Sequence, residues 1–283
     1  MKRIVTIQDI SCFGKCSLTV ALPVISACSV EACPIPTAVL STHTGGFKGF
    51  TINDLTKEIP PIAEHWKTLD LDFDGIYTGY LGSPEQLKIV SDFIDDFKKE
   101  DTIVFVDPVM GDHGKLYAGF DETFPQKMIS LIKKADVIAP NITEAAYLLG
   151  EKYREDFSDD EIKEMMVKLA SYGAETVIIT GVRRGDKLGV FAYESKKERF
   201  TEYFKERIHD TFHGTGDVFA SVCSSMLVKG YPVEEAVKIA TDFVVECILN
   251  TVDDKEKHWY SVKFEECLSA LTEIGEYNLK ERV

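Results

Sequence analysis

The run His213-Gly214-Thr215-Gly216-Asp217 sets two glycines and a carboxylate at the mouth of an amphipathic helix expected over 216–229. Gly214 and Gly216 remove two Cβ atoms where the chain turns into the helix, so consecutive N–H groups can converge on an anion at the positive end of the helix dipole. Such a cradle over Gly214, Thr215 and Gly216 is an anion hole for a transferring phosphoryl group, and Asp217 beside it can take the proton of an attacking hydroxyl. A Gly-Asp helix start is also an ordinary turn and N-cap, so the segment alone decides nothing. Asp107 and Asp112, five apart in DPVMGD, can share a hydrated Mg²⁺ with phosphate oxygens, although Asp is equally at home in turns. Asn141 and Glu144 in PNITE have the spacing of a capping box, which satisfies backbone donors and requires no further role.

Alternating β and α units must position these groups. Apolar, β-branched runs predict strands at 3–9, 30–40, 73–81, 102–112, 136–140 and 176–181, with a hairpin of 188–195 and 198–204. Helical spacing predicts helices at 17–28, 52–69 (broken at Pro60-Pro61), 83–100, 122–134, 142–149, 158–172, 216–229, 232–249 and 261–274. The 83–100 helix opens on a Ser83 cap and Pro84. This order predicts an α/β fold, a mostly parallel sheet covered by helices on both faces. In such sheets ligands sit beyond the carboxyl ends of the strands. Asp9, the Thr42-His43-Thr44-Gly45-Gly46 loop, Thr78-Gly79-Tyr80, the two acidic sets and Thr180-Gly181 should therefore open on one rim. No repeat or linker interrupts the sequence, and a single domain over 1–283 is expected.

Composition narrows the function. With 45% apolar residues among 283, the chain can bury a sizeable core. Its formal charge of −15 repels a phosphate backbone, so nucleic acid is not an expected partner, while a small anion held by a helix N-terminus and a metal ion remains possible. The first residues lack the pattern of a signal peptide and no stretch is apolar enough to span a membrane, so a cytoplasmic protein is expected. Seven cysteines without a CxxC pair argue against zinc and for a reducing compartment. There is neither a P-loop GxxxxGK[ST] nor a dinucleotide-binding GxGxxG. Lys15, His113 and His213 read as surface or packing residues.

Taken in order, the strand-end acidic pair, PNITE, Thr180-Gly181 and GTGD resemble the ribokinase-like vitamin kinases, and among them the pyridoxal kinases. VTIQDISCFGKCS (5–17), LSTHTGGF (40–47), TGYLGS (78–83), DPVMGDHGKLY (107–117), PNITEAAYLLG (140–150), VIITG (177–181) and GTGDVF (214–219) carry the likeness over essentially the whole chain. The resemblance implies a ribokinase-like three-layer α/β/α sandwich and transfer of phosphate from ATP to the 5′-hydroxymethyl group of pyridoxal, pyridoxine or pyridoxamine. It implies that Asp217 is the base, with Gly214, Thr215 and Gly216 as anion hole. Asp107, Asp112 and Glu144 would lie around Mg²⁺ and a monovalent cation such as K⁺, with Asn141, Glu144, Asp112, Thr180 and Gly181 near ATP. Thr44, Tyr80 and Asp9 would contact the ring, with His43 close by, and residues 112–120 would form a mobile flap. A homodimer is implied too. Many of these kinases carry Ser where this chain has Asp9, which keeps hydroxymethylpyrimidine as an alternative substrate. A binding protein without catalysis is a further alternative. The sugar kinases of the superfamily fit less well, because no inserted lid strands are seen between 10 and 50.

Overall fold

The computed structural model describes residues 1–210 and 212–280, the last six of these without their side chains. In chain order the elements are β1 (Arg3–Ser11), α1 (Leu18–Ala27), β2 (Glu31–Leu40), β3 (Ile52–Asp54), α2 (Ile59–Thr68), β4 (Gly75–Thr78), α3 (Pro84–Phe97) and β5 (Ile103–Val106). There follow β6 (Gly111–Asp112), β7 (Lys115–Leu116), α4 (Phe124–Ile132), β8 (Val137–Ile138), α5 (Ile142–Leu149), α6 (Asp159–Ala170) and β9 (Thr176–Arg184). The chain continues through β10 (Lys187–Glu194), β11 (Arg199–Glu206), α7 (Thr215–Val228), α8 (Val233–Val252), a short 3₁₀ turn Phe264–Cys267 and α9 (Leu268–Lys280).

In the inner strands both parities carry apolar residues, so these strands feed two cores. Val5, Ile7, Ile76, Val104, Val106, Val177 and Ile179 point into one core with α2 to α6. Ile4, Tyr77, Phe105 and Ile178, on the alternate positions, join α1, α7, α8 and α9 in the other. A period of two with both faces buried is what a parallel sheet between helical layers demands. Emptying one such position, as in Phe105→Ala, removes a fully buried ring and costs about 3–5 kcal/mol.

The sheet runs β11-β10-β9-β8-β5-β4-β1-β2-β3. Pairing is parallel from β2 through β9 and antiparallel at the margins, where β3 flanks β2 and the β9–β10–β11 meander closes the other side. From β1 the chain first runs outward through β2 and β3, then returns to build β4 onward on the opposite side. The order therefore reverses between β1 and β4, and a doubly wound sheet opens its ligand crevice beyond the carboxyl ends at such a point. The expected α/β/α fold is borne out.

Several segments depart from expectation: β4 is shorter than the strand expected over 73–81, and the last helix starts at Leu268 and not at 261. Residues 52–69 are not one broken helix: β3 and a 3₁₀ turn come first, and the prolines lie in the opening turn of α2, where a missing N–H costs nothing. The strand expected to 112 stops at Val106, and Asp112 lies instead in the small β6–β7 hairpin. Finally, β9 runs past Gly181 to Arg184 because it also pairs with β10.

Candidate active site

Several strand ends meet at the mouth of α7. Gly214 is the N-cap of α7, at φ 79° and ψ −2°, a left-handed turn that glycine adopts without strain. A Cβ there would also stand 2.5 Å from the Lys15 carbonyl oxygen, so the position needs glycine twice over. The Ser261 hydroxyl donates to the carbonyls of Lys15 (3.0 Å) and His213 (3.2 Å), fastening the 11–17 loop to the helix mouth. Gly216 faces open space, with nothing within 4 Å of where its Cβ would be. No side chain caps α7, so its first N–H groups, which have no partner within a helix, are free for an anion. The glycines at 214 and 216 thus close one contact and leave a space open.

Asp217 lies in the first turn of α7. Burial pushes its carboxyl up to about 7, the negative charge of Asp9 adds to the shift, and the facing Ser17 N–H opposes it. Asp107, buried at the end of β5, is pushed well above the ordinary range by desolvation and by the carboxylates of Glu144 and Asp217. Two groups absent from the sequence-based expectations lie between these acids. The Tyr77 hydroxyl is fully buried, and burial with the charges of Asp217 and Asp107 raises its pKa well above the usual value. Tyr117 is partly exposed at 36% of its surface, yet it too is raised by desolvation and then by Glu144, Asp112, Asp217 and Asp107, so four carboxylates act on one phenol.

The Asn141–Glu144 capping box is realised at α5. Asn141 Oδ1 accepts from the Glu144 N–H (2.9 Å), and Glu144 accepts from the N–H groups of Asn141 (2.8 Å) and Met110 (3.0 Å). The Asn141 amide donates to the Gly111 carbonyl at 2.8 Å, so this pair ties the 107–112 loop to α5. Thr180 pairs across β8's end with Asn141, and the position beyond Gly181 Cα is open. Asp112 is exposed on its hairpin and accepts from the His113 N–H at 2.7 Å. Among the described residues no three His, Cys, Asp or Glu side chains gather as a ready-made metal centre. Glu144 is engaged by backbone donors and Asp112 stands out on the hairpin, yet the charge of Glu144 acts on Asp107 and that of Asp112 acts on Glu144.

On the other side of the reversal point, Asp9 lies where the β1–β2 register shifts between Gln8 and Ile10, and irregular pairing of this kind re-aims side chains. It is buried, and both carboxylate oxygens accept hydroxyls: Ser17 Oγ at 2.6 Å and Ser11 Oγ at 3.0 Å. Burial raises its pKa and the two hydroxyls oppose that shift. Ser17 has φ 55° and ψ −129°, a conformation costing a residue with a Cβ about 1–3 kcal/mol. Tyr80, partly buried near Asp9, packs its ring 5.5 Å from Phe120 of the 112–120 segment.

His43 has a structural part that its sequence position did not announce. Its Nδ1 accepts from the Gly45 N–H (3.0 Å), so its Nε2, 2.9 Å from the Tyr260 carbonyl, is the protonated nitrogen. Burial lowers its proton affinity. The ring is thereby committed to joining the 41–47 loop to the 258–261 segment, and His213 lies beside it at 5.0 Å between centroids. Thr44 is exposed beyond this clamp. Lys15 is not a free surface cation; it pairs with Glu265 at 2.7 Å.

With this geometry in place, the family model for phosphomethylpyrimidine kinase matches residues 19–260. The chain belongs to that family. Among solved structures, a Bacteroides thetaiotaomicron protein provisionally named a phosphomethylpyrimidine kinase, crystallised with pyridoxal, superposes with a TM-score of 0.91 at 42% identity, covering 95% of each chain. Pyridoxal kinase from Lactobacillus plantarum gives 0.90 at 30% identity over 98% of this chain and 99% of its own. Hydroxymethylpyrimidine/phosphomethylpyrimidine kinase of Bacillus subtilis is 30% identical over 76% of this chain and 78% of its own. The likeness read from the sequence to ribokinase-like vitamin kinases is borne out.

Proposed function

We propose that this member of the phosphomethylpyrimidine kinase family transfers the γ-phosphoryl group of ATP to the 5′-hydroxymethyl group of pyridoxal, pyridoxine or pyridoxamine. The observation that carries the reading is Asp217: a carboxylate pushed up to about 7 beside the uncapped N–H groups of α7. A base with that proton affinity is matched to proton removal near neutral pH. The structural relative at 42% identity that was crystallised with pyridoxal supports the choice of ring.

In the mechanism, Asp217 orients the substrate hydroxyl and takes its proton as the oxygen attacks in line. The N–H groups of Thr215 and Gly216 receive the charge that spreads over the transferring phosphoryl oxygens. Gly216 leaves room for those oxygens, since no atom lies within 4 Å of its Cβ direction. Asn141, Thr180 and Gly181 line the nucleotide side, and Tyr80 with Asp9 receives the ring. Four carboxylates act on Tyr117, and such a concentration of negative charge fits a site completed by a metal ion. Asp107 and Asp112 would hold Mg²⁺, which keeps several waters and binds through one or two carboxylates plus phosphates, and when bound it neutralises phosphate charge. A monovalent cation, a homodimer and a cytoplasmic location complete the proposal.

The test is a coupled kinase assay with ATP and Mg²⁺ against pyridoxal, pyridoxine, pyridoxamine and hydroxymethylpyrimidine, with Asp217→Asn alongside. Turnover of a pyridoxal vitamer that vanishes in the variant is expected. Turnover of the pyrimidine alone would transfer the chain to the second reading, which the family match and the Bacillus relative favour. Binding without turnover would make it a ligand-binding protein.

A further inference from the structure

Asp9 and Asp217 belong to different elements and one residue touches both. The Ser17 hydroxyl donates to Asp9 at 2.6 Å, while the Ser17 N–H faces the Asp217 carboxylate. To do so the residue holds φ 55°, a conformation that glycine accepts without cost and serine does not. Glycine in its place would keep the N–H and lose only the hydroxyl. The strained serine therefore points to a use for that hydroxyl, and Asp9 is its partner.

We propose that Ser17 is a positioning residue that, with Ser11, holds the Asp9 carboxylate ionised toward the ring, so that the site prefers heteroaromatic alcohols bearing a ring N–H or an amino group. Two hydroxyl donors favour the charged form of a buried carboxylate. An ionised Asp9 only accepts hydrogen bonds, so it selects a ring partner that donates. The other titratable groups acting near Asp9 are Tyr80, Cys16 and Asp217. None of them is a cation, so a protonated ring would be the positive charge in the cluster. This inference rests on the kinase reading for the placement of the ring.

The experiment compares wild type with Ser17→Ala, Ser17→Gly, Asp9→Ser and the Asp9→Ser/Ser17→Ala double variant. Pyridoxal binding is measured by calorimetry, KM values for pyridoxal and ATP are measured separately, and melting temperatures are recorded. A hydrogen bond to a charged group supports an expected loss of about tenfold or more in pyridoxal affinity for both Ser17 variants. The KM for ATP should stay within about twofold of wild type. With Asp9 already replaced, Ser17→Ala should change pyridoxal affinity by less than about twofold, because its partner is gone.

Ser17→Gly should melt above Ser17→Ala, since only the alanine keeps the strained backbone. Equal losses for pyridoxal and ATP, the same Ser17→Ala loss with and without Asp9, or wild-type affinity in Ser17→Gly would each overturn the proposal. Should wild type bind pyridoxal but not phosphorylate it, the kinase reading falls while the binding cycle still tests Ser17. If hydroxymethylpyrimidine is the ring that binds, the same cycle is run on it. Binding of neither ring overturns both.

Discussion

The two halves of the rim are built by different means. On the side proposed to hold phosphate, at the ends of β5, β8 and β9, side chains are fixed to backbone: Glu144 to the N–H groups of Met110 and Asn141, Asn141 to the Gly111 carbonyl. On the side proposed to hold the ring, at the ends of β1, β2 and β4, side chains are fixed to one another or across long sequence distances. Ser17 and Ser11 hold Asp9, and His43 reaches the Tyr260 carbonyl 217 residues away. Backbone partners do not change with substitution, so the phosphate half suits the part of the substrate that kinases share. Side-chain partners can be exchanged singly, which suits the half that must discriminate between rings. Asp217 stands at the junction, acted on by Asp9 and itself acting on Asp107.

The largest expected effect breaks this division at its junction. Asp217→Asn should lower kcat by about 10²–10⁴-fold, the usual worth of a positioned base, with ATP binding retained, as read by steady-state kinetics and nucleotide titration. The same group sets the pH profile. With its carboxyl pushed up to about 7, the base is ionised above that pH, so kcat/KM should fall about tenfold per unit below about 7. Stability should move the opposite way. A carboxyl raised in the folded state binds protons that the unfolded chain has released, so it destabilises the fold progressively as pH rises from about 4 to about 7. The gain in melting temperature of Asp217→Asn over wild type should therefore be greater at pH 8 than at pH 5. Equal differences at both would show that the carboxyl is not held up by burial.

Next in size, Glu144→Ala tests the backbone-built half. It leaves the N–H groups of Met110 and Asn141 without their acceptor, each at about 1–3 kcal/mol. A fall of several degrees in melting temperature is expected, with poorer use of ATP and an unchanged ranking of ring substrates. A changed ranking would erase the distinction between the halves. Asp9→Ser is its mirror image: the order of pyridoxal, pyridoxamine and hydroxymethylpyrimidine should shift by about tenfold while the KM for ATP holds.

The same contrast decides what could be read from the sequence. Asn141-x-x-Glu144 and the Gly214–Asp217 run are local patterns, and local patterns are set by a few adjacent residues, so both were found in place at helix starts. The period of two in β1, β4, β5 and β9 likewise gave the sheet, while the prolines at 60 and 61 misled because a helix start and a helix break use the same residue. The place of Asp112 was not legible, because spacing in DPVMGD cannot show that the strand stops at Val106 and turns into a hairpin. On the ring side nothing local marked Ser17, Tyr77 or the Ser261 staple. Their parts depend on a left-handed serine, on the face of β4 toward α7, and on contacts spanning up to 246 residues.

The smallest expected effect sharpens the comparison within the ring half. His43 lies in the loop that the family likeness places beside the ring, yet both of its nitrogens are engaged within the protein. If it serves as a clamp and not as a ring contact, His43→Gln should retain one of the two hydrogen bonds and lose about 0.5–1.5 kcal/mol of stability. The KM for pyridoxal should then rise by no more than about threefold, and by the same factor for each vitamer, because only the placement of the 41–47 loop is loosened. Burial lowers the histidine's proton affinity and a proton on Nδ1 would displace the Gly45 N–H, so the clamp holds only while the ring is neutral. A folded-state value below the unfolded one means that the neutral clamp's stability is complete above the unfolded value, near 6.5, and is lost as pH falls toward and through the lower folded value. Wild type and His43→Gln should accordingly converge in melting temperature on acidification below about pH 6.5. A difference that grows with acid would instead mean that His43 carries a proton in the folded protein, and would return it to the ring as a charged contact.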